Sequence, residues 1–320
     1  MINPWLVQFS NQFSFKPELQ NGEKLQPWKQ AVVAGMGGSH LAADFLNTIR
    51  PSLNLFVHKD YGLPPLPPEI AKETLFIASS YSGNTEETLS FLQEALKQQY
   101  SVAAITSGGA LLQIAKEQGI PYVVLPQGGI PPRVATGWST LALAVLIGAK
   151  DICEELHTLQ NLLRPETAAE AGKTLTHTLV GKIPLIYASR KNFSLAYYWK
   201  ITLNETAKIP AFCNMLPEAN HNEIEGFDGG SKNPKLPLHV ILLRDSEDNP
   251  RIQKRMNVIE ELYLKRGLSL ANVALRGSST SERVFDSALL AIATALFLAE
   301  SYGNESDRTP LIEVFKARMK

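Results

Sequence analysis

The sequence predicts an α/β protein of two domains, each a doubly wound parallel sheet with helices on both faces in three layers. Three observations support this fold class. The chain has 320 residues, more than one domain usually contains. Short apolar runs alternate with helical patterns, which is typical of parallel strands joined by crossover helices. The alternation begins again in the second half, after a polar connector.

The first half contains five strand patterns and four helical patterns in alternation. The strand patterns are residues 30–36, 53–59, 73–80, 101–107 and 121–127, and the helical patterns are 39–49, 85–100, 110–119 and 136–150. Runs such as "TLFIAS" are apolar at successive positions, which favours strands buried on both faces of a sheet.

The second half repeats this order after a connector at 151–182, which is helical in pattern and polar over "RPETAAEAGKTLTHTL". We place the domain boundary in the connector, giving domains 1–153 and 154–320, the second with a linker helix and a short final helix. The strand patterns are 183–189, 237–245 and 268–275, and the helical patterns are 192–208, 251–267, 283–303 and 309–319.

Composition and charge argue against several classes of function. Lys plus Arg and Asp plus Glu each number 31, so a nucleic-acid partner is not expected. The longest apolar runs are well short of the roughly 20 residues of a membrane span, and the start lacks the pattern of a signal peptide. Cys153 and Cys213 form no CxxC pair and are expected to be reduced. We therefore expect a cytoplasmic protein without a membrane partner.

Two strand-to-helix turns predict a phosphate site. "SSYSGNTEE" follows the third strand and "GMGGSH" the first. A helix start offers unpaired N–H groups, glycine allows close approach, and hydroxyls donate to oxyanions. We expect Ser80, Ser82 and Thr85 to face one phosphate, with Gly38 and Ser39 reaching in from the neighbouring turn.

A plain turn is the alternative to this phosphate site. Asn84 could cap the following helix, and Glu87 could close a capping box. That alternative accounts for these two residues and leaves the additional hydroxyls unexplained. For Ser39 the alternative is a short glycine turn of the kind that commonly follows a strand.

Residues 203–227 carry a second group of polar candidates, Glu205, Glu218, His221 and Glu223. Glu205 ends an apolar helix, where partial burial would favour a general base; a solvated carboxylate paired with Lys208 is the alternative. His221 lies in a polar loop, which argues against a core histidine. The sequence contains no HxH, HExxH or Cys/His cluster, and we expect neither a metal nor a cofactor.

Residues 80–88, "SYSGNTEET", resemble the signature loop of the sugar isomerase (SIS) domain family, whose members bind phosphosugars at this loop. The resemblance extends over essentially the whole chain after residue 30. It implies two tandem flavodoxin-like SIS domains and a phosphosugar substrate.

A narrower resemblance points to one branch of that family. "NET", followed 16 residues after its glutamate by "HNE", is similar to the bifunctional phosphoglucose/phosphomannose isomerases. The resemblance implies that Glu205 moves a proton between C1 and C2. It implies that His221 assists ring opening across a homodimer interface, together with Lys316. Thr309 matches the position associated with acceptance of both epimers.

Arg133 is the residue expected to hold the enediolate. It follows two prolines in "QGGIPPRVATGW", and its fork of donors suits a developing oxyanion. A surface arginine is the alternative, and the family pattern, which places an arginine at this turn, favours the functional interpretation. The segment 227–237 could be a simple loop or could shape the pocket.

The resemblance thus predicts a metal-independent aldose–ketose isomerase that interconverts glucose 6-phosphate, and mannose 6-phosphate, with fructose 6-phosphate. Two alternatives stay open. One is a phosphosugar sensor without catalysis, although residues 1–30 are too short and not basic enough for a DNA-binding domain. The other is an amino-sugar phosphate isomerase, although the chain has no glutaminase domain to supply ammonia.

Overall fold

The computed structural model of the protein describes residues 2–229 and 236–319. It forms two compact units. The amino-terminal unit is Val7–Leu163, and the carboxyl-terminal unit is Met1–Leu6 with Arg164–Lys320. The division along the chain, between Leu163 and Arg164, falls inside the predicted connector 151–182. The finer boundary after residue 153 stays a prediction.

From Pro4 to Leu162 the chain alternates strands and helices. The elements are α1 Pro4–Asn11, β1 Leu19–Gln20, β2 Gln30–Ala34, α2 Leu41–Ile49, β3 Leu55–His58, α3 Pro68–Lys72, β4 Thr74–Ser80, α4 Glu86–Lys97, β5 Ser101–Thr106, α5 Gly109–Glu117, β6 Tyr122–Val124, α6 Thr136–Leu146 and α7 Lys150–Leu162.

The sheet of the amino-terminal unit has the order β1-β6-β5-β4-β2-β3. Strands β2 to β6 pair in parallel, and the two-residue β1 pairs with β6 in the antiparallel direction. The chain leaves β2 for β3 on one side and returns to β4 on the other. The strand order therefore reverses between β2 and β4, where ligands of such sheets bind.

The core of this unit follows from its apolar patterns. All seven residues of β4 are buried, as expected for a central strand covered on both faces. Helix α4 packs Phe91, Leu92 and Ala95 on one side of the sheet, against Phe76 of β4. Helix α6 is buried at every position except Val145, which explains its unbroken apolar sequence.

The carboxyl-terminal unit repeats the alternation with fewer strands. Its elements are α8 Pro165–Leu179, β7 Ile183–Ser189, α9 Phe193–Thr202, a π-helical turn Leu203–Ala207, β8 Phe212–Leu216, β9 Leu238–Arg244, α10 Pro250–Lys265, β10 Ser269–Ala274, α11 Thr280–Ser301 and α12 Pro310–Met319.

The second sheet has the order β10-β9-β7-β8, and all its pairs are parallel. Strand β7 thus corresponds to β2, β8 to β3, β9 to β4 and β10 to β5. Two α/β units with parallel sheets and helices on both faces confirm the predicted fold class. The sequence did not predict α1, β1, α3 or β8.

Two helices of the carboxyl-terminal unit differ sharply in how far their apolar side chains are buried. Helix α11 has the length and composition of a membrane span, but 78% of its most apolar stretch is buried in the described structure, as in core helices of the same length. Helix α12 has no buried residue, and Leu311 and Phe315 are 81% and 63% exposed.

Candidate functional site

The loop after β4 forms a compact cradle lined by hydroxyls and glycine. The hydroxyls of Ser80 and Thr85 lie 2.9 Å apart, and the Gly83 N–H donates to Ser80 Oγ at 3.1 Å. Gly83 has φ +70°, and a Cβ built on it would lie 1.8 Å from the carbonyl oxygen of Gly108. Only glycine fits this position, because both the backbone conformation and the space exclude a side chain. Ser82 is exposed at the rim.

The capping alternative for Asn84 is wrong. Thr85 is the residue that precedes α4, and its side chain makes no capping hydrogen bond. Asn84 Oδ1 instead accepts from the Ala110 N–H at 3.0 Å, which ties the loop to the turn before α5. The first turn of α4 is therefore not capped by Asn84. The helix begins at Glu86, directly after the loop, so the positive end of its dipole adjoins the cradle.

The turn after β2 packs directly against this cradle. Ser39 Oγ accepts from the Tyr81 N–H at 3.1 Å, and Ser79 Oγ donates to the Ser39 carbonyl at 2.7 Å. A Cβ on Gly38 would lie 2.8 Å from the backbone nitrogen of Arg133. The structure thus brings Gly38 and Ser39 between the Ser80 loop and the Arg133 turn, and phosphate binding by these residues stays a prediction.

Arg133 is buried, with 1% of its surface exposed. The alternative of a surface arginine is therefore wrong. Its backbone abuts the Gly38 turn, and Val134 and Ala135 continue the turn that Pro131 and Pro132 begin. The side chain of Arg133 is therefore buried in the unit whose Gly38 turn its backbone adjoins.

Glu205 lies half-buried on the π-helical turn that follows α9. Such turns are rare and occur frequently at functional sites. Asn204 Nδ2 donates to the Ile209 carbonyl and Asn304 Nδ2 donates to the Ala207 carbonyl, both at 2.9 Å. These two amide contacts fix the turn on both sides of Glu205. The sequence predicted an ordinary helix here, because no side-chain period distinguishes a single π turn.

Lys208 joins the Glu205 turn to the carboxyl-terminal segment. It has φ 60°, and its ammonium donates to the backbone carbonyl of Glu205 and, at 2.6 Å, to that of Arg308. Thr309, the next residue after Arg308, is therefore held close to the Glu205 turn. Lys316 lies further along α12, where its side chain is exposed.

His221 is exposed on the segment after β8, between short 3₁₀ turns at Glu218–Asn220 and Glu223–Phe227. Its N–H donates to the Glu218 carbonyl at 2.9 Å. The neighbouring Glu223 carboxylate is bound from two sides by the Tyr187 hydroxyl and the Asn214 amide. Burial, and then the hydrogen bond to Glu223, raise the pKa of Tyr187.

Sequence reasoning missed Tyr187 and Asn214, which lie on β7 and β8 and gave no motif. Residues 230–235 of the predicted pocket loop lie outside the described residues. Within residues 2–229 and 236–319 there is no group of three or more His, Cys, Asp or Glu side chains that could hold a metal ion. A cavity of about 460 Å³ opens between α8 and β10, and none of the predicted site residues lines it.

Solved structures share the fold of this chain. A glucosamine-6-phosphate deaminase from Thermotoga maritima has a TM-score of 0.67, covering 95% of this chain and 93% of the deaminase at 15% identity. The C-terminal domain of a glucosamine-fructose-6-phosphate aminotransferase from Francisella tularensis has a TM-score of 0.66, covering 95% of each chain at 13% identity. These likenesses support the tandem SIS architecture and show the fold alone.

Other proteins are more similar to this chain in sequence than these solved structures are. Residues 168–319 match the family model of the bacterial phospho-glucose isomerase C-terminal SIS domain. A bifunctional phosphoglucose/phosphomannose isomerase of Aquifex aeolicus is 33% identical, covering 98% of this chain and 96% of its own length. One from Thermoplasma acidophilum is 38% identical over 79% of this chain and 78% of its own length. The chain therefore belongs to the family of bifunctional phosphoglucose/phosphomannose isomerases.

Proposed function

We propose that this protein is an aldose–ketose isomerase that interconverts glucose 6-phosphate and mannose 6-phosphate with fructose 6-phosphate, without a metal. The observation that carries the proposal is the half-buried Glu205 on a π-helical turn whose backbone is held by side chains on both sides. A general base needs a fixed position and partial desolvation, and Glu205 has both. Family membership over nearly the whole chain supports the same reaction.

The amino-terminal unit anchors the phosphate. Ser80, Ser82 and Thr85 donate hydroxyl hydrogen bonds, Gly38 and Ser39 close the neighbouring side, and the first turn of α4 contributes N–H groups and a favourable dipole. These donors carry no formal charge, so they bind the dianion without drawing it into a fixed ion pair.

Ring opening and proton transfer follow. His221 and Lys316 move a proton from O1 to the ring oxygen as the C1–O5 bond breaks. Glu205 then removes the proton at C2 and delivers a proton at C1, while a proton passes from O2 to O1. Arg133 stabilises the cis-enediolate between these steps. Glucose and mannose differ only in configuration at C2, and the small Thr309 side chain leaves room for both.

The proposed active unit is a homodimer, with His221 contributed by one subunit to the site of the other. The exposure of the His221 imidazole in the single chain supports this arrangement. A fully active monomer in sedimentation experiments would contradict it.

The test is turnover by purified protein in EDTA, with each aldose phosphate offered separately and fructose 6-phosphate followed. We expect both to react, and Glu205→Gln to lower kcat by about 10²–10⁴-fold with KM little changed. Glu300→Gln, an exposed carboxylate at the end of α11, is the matched control. An unchanged kcat in Glu205→Gln would remove Glu205 from the mechanism.

The same assay separates the alternatives. Phosphosugar binding without turnover would indicate a sensor. Turnover confined to glucosamine 6-phosphate, or dependent on added ammonia, would indicate an amino-sugar enzyme. Reaction of glucose 6-phosphate alone would keep the mechanism and reject the role of Thr309 in epimer tolerance.

A further inference from the structure

The Glu223 carboxylate is bound at both oxygens. The Tyr187 hydroxyl donates to Oε1, and the Asn214 side-chain amide donates to Oε2. Tyr187 lies on the central strand β7 and is 1% exposed, and Asn214 lies on β8. Glu223 therefore fastens the segment after β8 to two strands of the sheet. A carboxylate suits this arrangement, because each of its two oxygens accepts from one of the two converging donors.

The segment held in this way carries His221. Asn222 Oδ1 accepts from the Glu223 N–H at 2.6 Å, and Asn222 Nδ2 donates to Glu218 Oε1 at 3.0 Å. The His221 N–H is bound to the Glu218 carbonyl. The backbone is thus fixed on both sides of His221, while the imidazole itself is exposed and has no hydrogen-bond partner among residues 2–229 and 236–319.

We propose that Glu223 is a positioning residue that holds His221 for ring opening. This inference rests on the proposed function. An exposed imidazole on a mobile loop would lose much of its effect, because acid–base catalysis depends on sub-ångström placement of the donor. Glu223 supplies that placement through Tyr187 and Asn214. It acts on the breaking of the C1–O5 bond and leaves the proton transfer by Glu205 unaffected.

Two measurements separate these steps. Exchange between the α and β anomers of glucose 6-phosphate requires ring opening and closure but no proton transfer at carbon. NMR exchange spectroscopy in a Glu205→Gln background therefore reports ring opening alone. Exchange of the C2 proton of a four-carbon aldose 4-phosphate in D₂O reports the base alone, because that sugar lacks a hydroxyl that could close a ring.

We expect Glu223→Ala to slow anomer exchange by about 10–100-fold and to leave the acyclic exchange within about twofold of the wild type. Glu223→Gln should restore much of the loss. Its amide oxygen can accept from Asn214, and its NH₂ can donate to the Tyr187 hydroxyl oxygen. Glu225→Gln, an exposed carboxylate of the same 3₁₀ turn, is the matched control and should change neither rate.

His221→Ala should show the same selective loss of anomer exchange. An equal loss of both reactions in Glu223→Ala would overturn the inference, since general damage to the fold affects both. Unchanged anomer exchange in Glu223→Ala, with His221→Ala impaired, would reject Glu223 and keep the proposed function. If the wild type isomerises neither hexose phosphate, the proposed function fails, and the inference fails with it.

Discussion

The two sheets carry different kinds of side chain at the corresponding edge, where their parallel strands end. At the carboxyl ends of β2 and β4, the amino-terminal unit has glycines and neutral hydroxyls. At the carboxyl ends of β7 and β9, the carboxyl-terminal unit has the buried carboxylates Asp245 and Asp248, which are 3% and 4% exposed. The topology is shared, but the chemistry at the carboxyl edge of the sheet differs.

The carboxylates of the second unit are neutralised from within. Lys191 Nζ lies 2.9 Å from Asp245 Oδ2, and Arg283 Nε lies 3.4 Å from Oδ1. Asn192 donates to both Asp245 and Asp248. Burial opposes ionisation of Asp245, but the Glu247 N–H with Lys191 and Asn192 outweighs it and lowers the pKa of that carboxyl. Burial raises the pKa of Asp248.

We infer from this difference that the carboxyl edge of the first sheet serves to bind a ligand, whereas the corresponding edge of the second sheet serves to stabilise the fold. At the edge that contains the two carboxylates, Lys191, Arg283 and Asn192 are already engaged, so few donors remain for a phosphate. An edge made of glycine and hydroxyls has no carboxylate to oppose an anion, and its hydroxyls and N–H groups are suited to donate to one. In the proposed mechanism the amino-terminal unit therefore anchors the phosphate, and Glu205 and His221 come from other segments of the carboxyl-terminal unit.

The largest expected effect comes from removing the Asp245 carboxylate, which is the buried counter-ion of Lys191 and Arg283. Asp245→Asn leaves Lys191 and Arg283 without their carboxylate, and we expect a loss of about 3–5 kcal/mol in the free energy of unfolding. Urea denaturation measures it. Asp151→Asn, which breaks the exposed pair with Arg50, is the control and should change stability little. If Asp245→Asn is as stable as the wild type, the cluster is not a structural element.

The second prediction concerns a substitution that places a carboxylate in the hydroxyl-lined loop after β4. Ser82 is exposed, so Ser82→Asp should fold normally, but its charge would face the substrate phosphate. We expect KM for glucose 6-phosphate to rise by roughly 30–100-fold, with the increase reduced by salt. Ser82→Asn, similar in size and uncharged, should raise KM far less. Equal effects of the two variants would show that size and not charge governs this position.

The third prediction concerns acid stability of the carboxyl-terminal unit. His239 of β9 is buried, and desolvation, with a smaller effect of Lys182, lowers its pKa to about 4. Because the folded pKa lies below the usual 6.5, its contribution is complete above pH 6.5 and is lost as the pH falls toward 4. Allowing for solvent screening, we expect the free energy of unfolding to fall by about 2 kcal/mol between pH 6.5 and pH 4.

His239→Gln should remove this part of the pH dependence, and the free energy of unfolding measured between these pH values checks it. Its Nδ1 lies 2.6 Å from Ser269 Oγ, so some stability is lost at every pH. The diagnostic quantity is the slope with pH. His177→Gln, an exposed histidine on α8, should keep the slope of the wild type. An unchanged slope in His239→Gln would contradict the assignment.

The sequence predicted the elements whose side chains follow a regular period or form buried runs, such as β4, β7 and α6. It missed β8, because an edge strand with Phe212 58% exposed has no buried pattern. It missed the π turn at Glu205, which depends on contacts from Asn304 about a hundred residues away. The hydroxyl motif was visible because its residues are consecutive, whereas the Glu223 contacts join segments that only the fold brings together.

The smallest expected effect tests one hydroxyl of the cradle. Thr85→Val keeps the shape of the side chain and removes the hydroxyl 2.9 Å from Ser80 Oγ. One hydrogen bond to a charged phosphate is worth about 1.5 kcal/mol, so KM should rise roughly tenfold. The phosphate is bound equally in the ground and transition states, so kcat should stay the same.

Ser52→Ala, an exposed hydroxyl near β3, is the control for this measurement. If Thr85→Val lowers kcat as well as affinity, the phosphate contact also aligns the sugar with Glu205, and anchoring and chemistry are not divided between the units as proposed. If neither parameter changes, the Thr85 hydroxyl serves only to hold Ser80, and the cradle binds phosphate through Ser80 and the N–H groups of α4. Whether Thr85→Val changes KM, kcat or both therefore decides whether phosphate binding and proton transfer are divided between the two units.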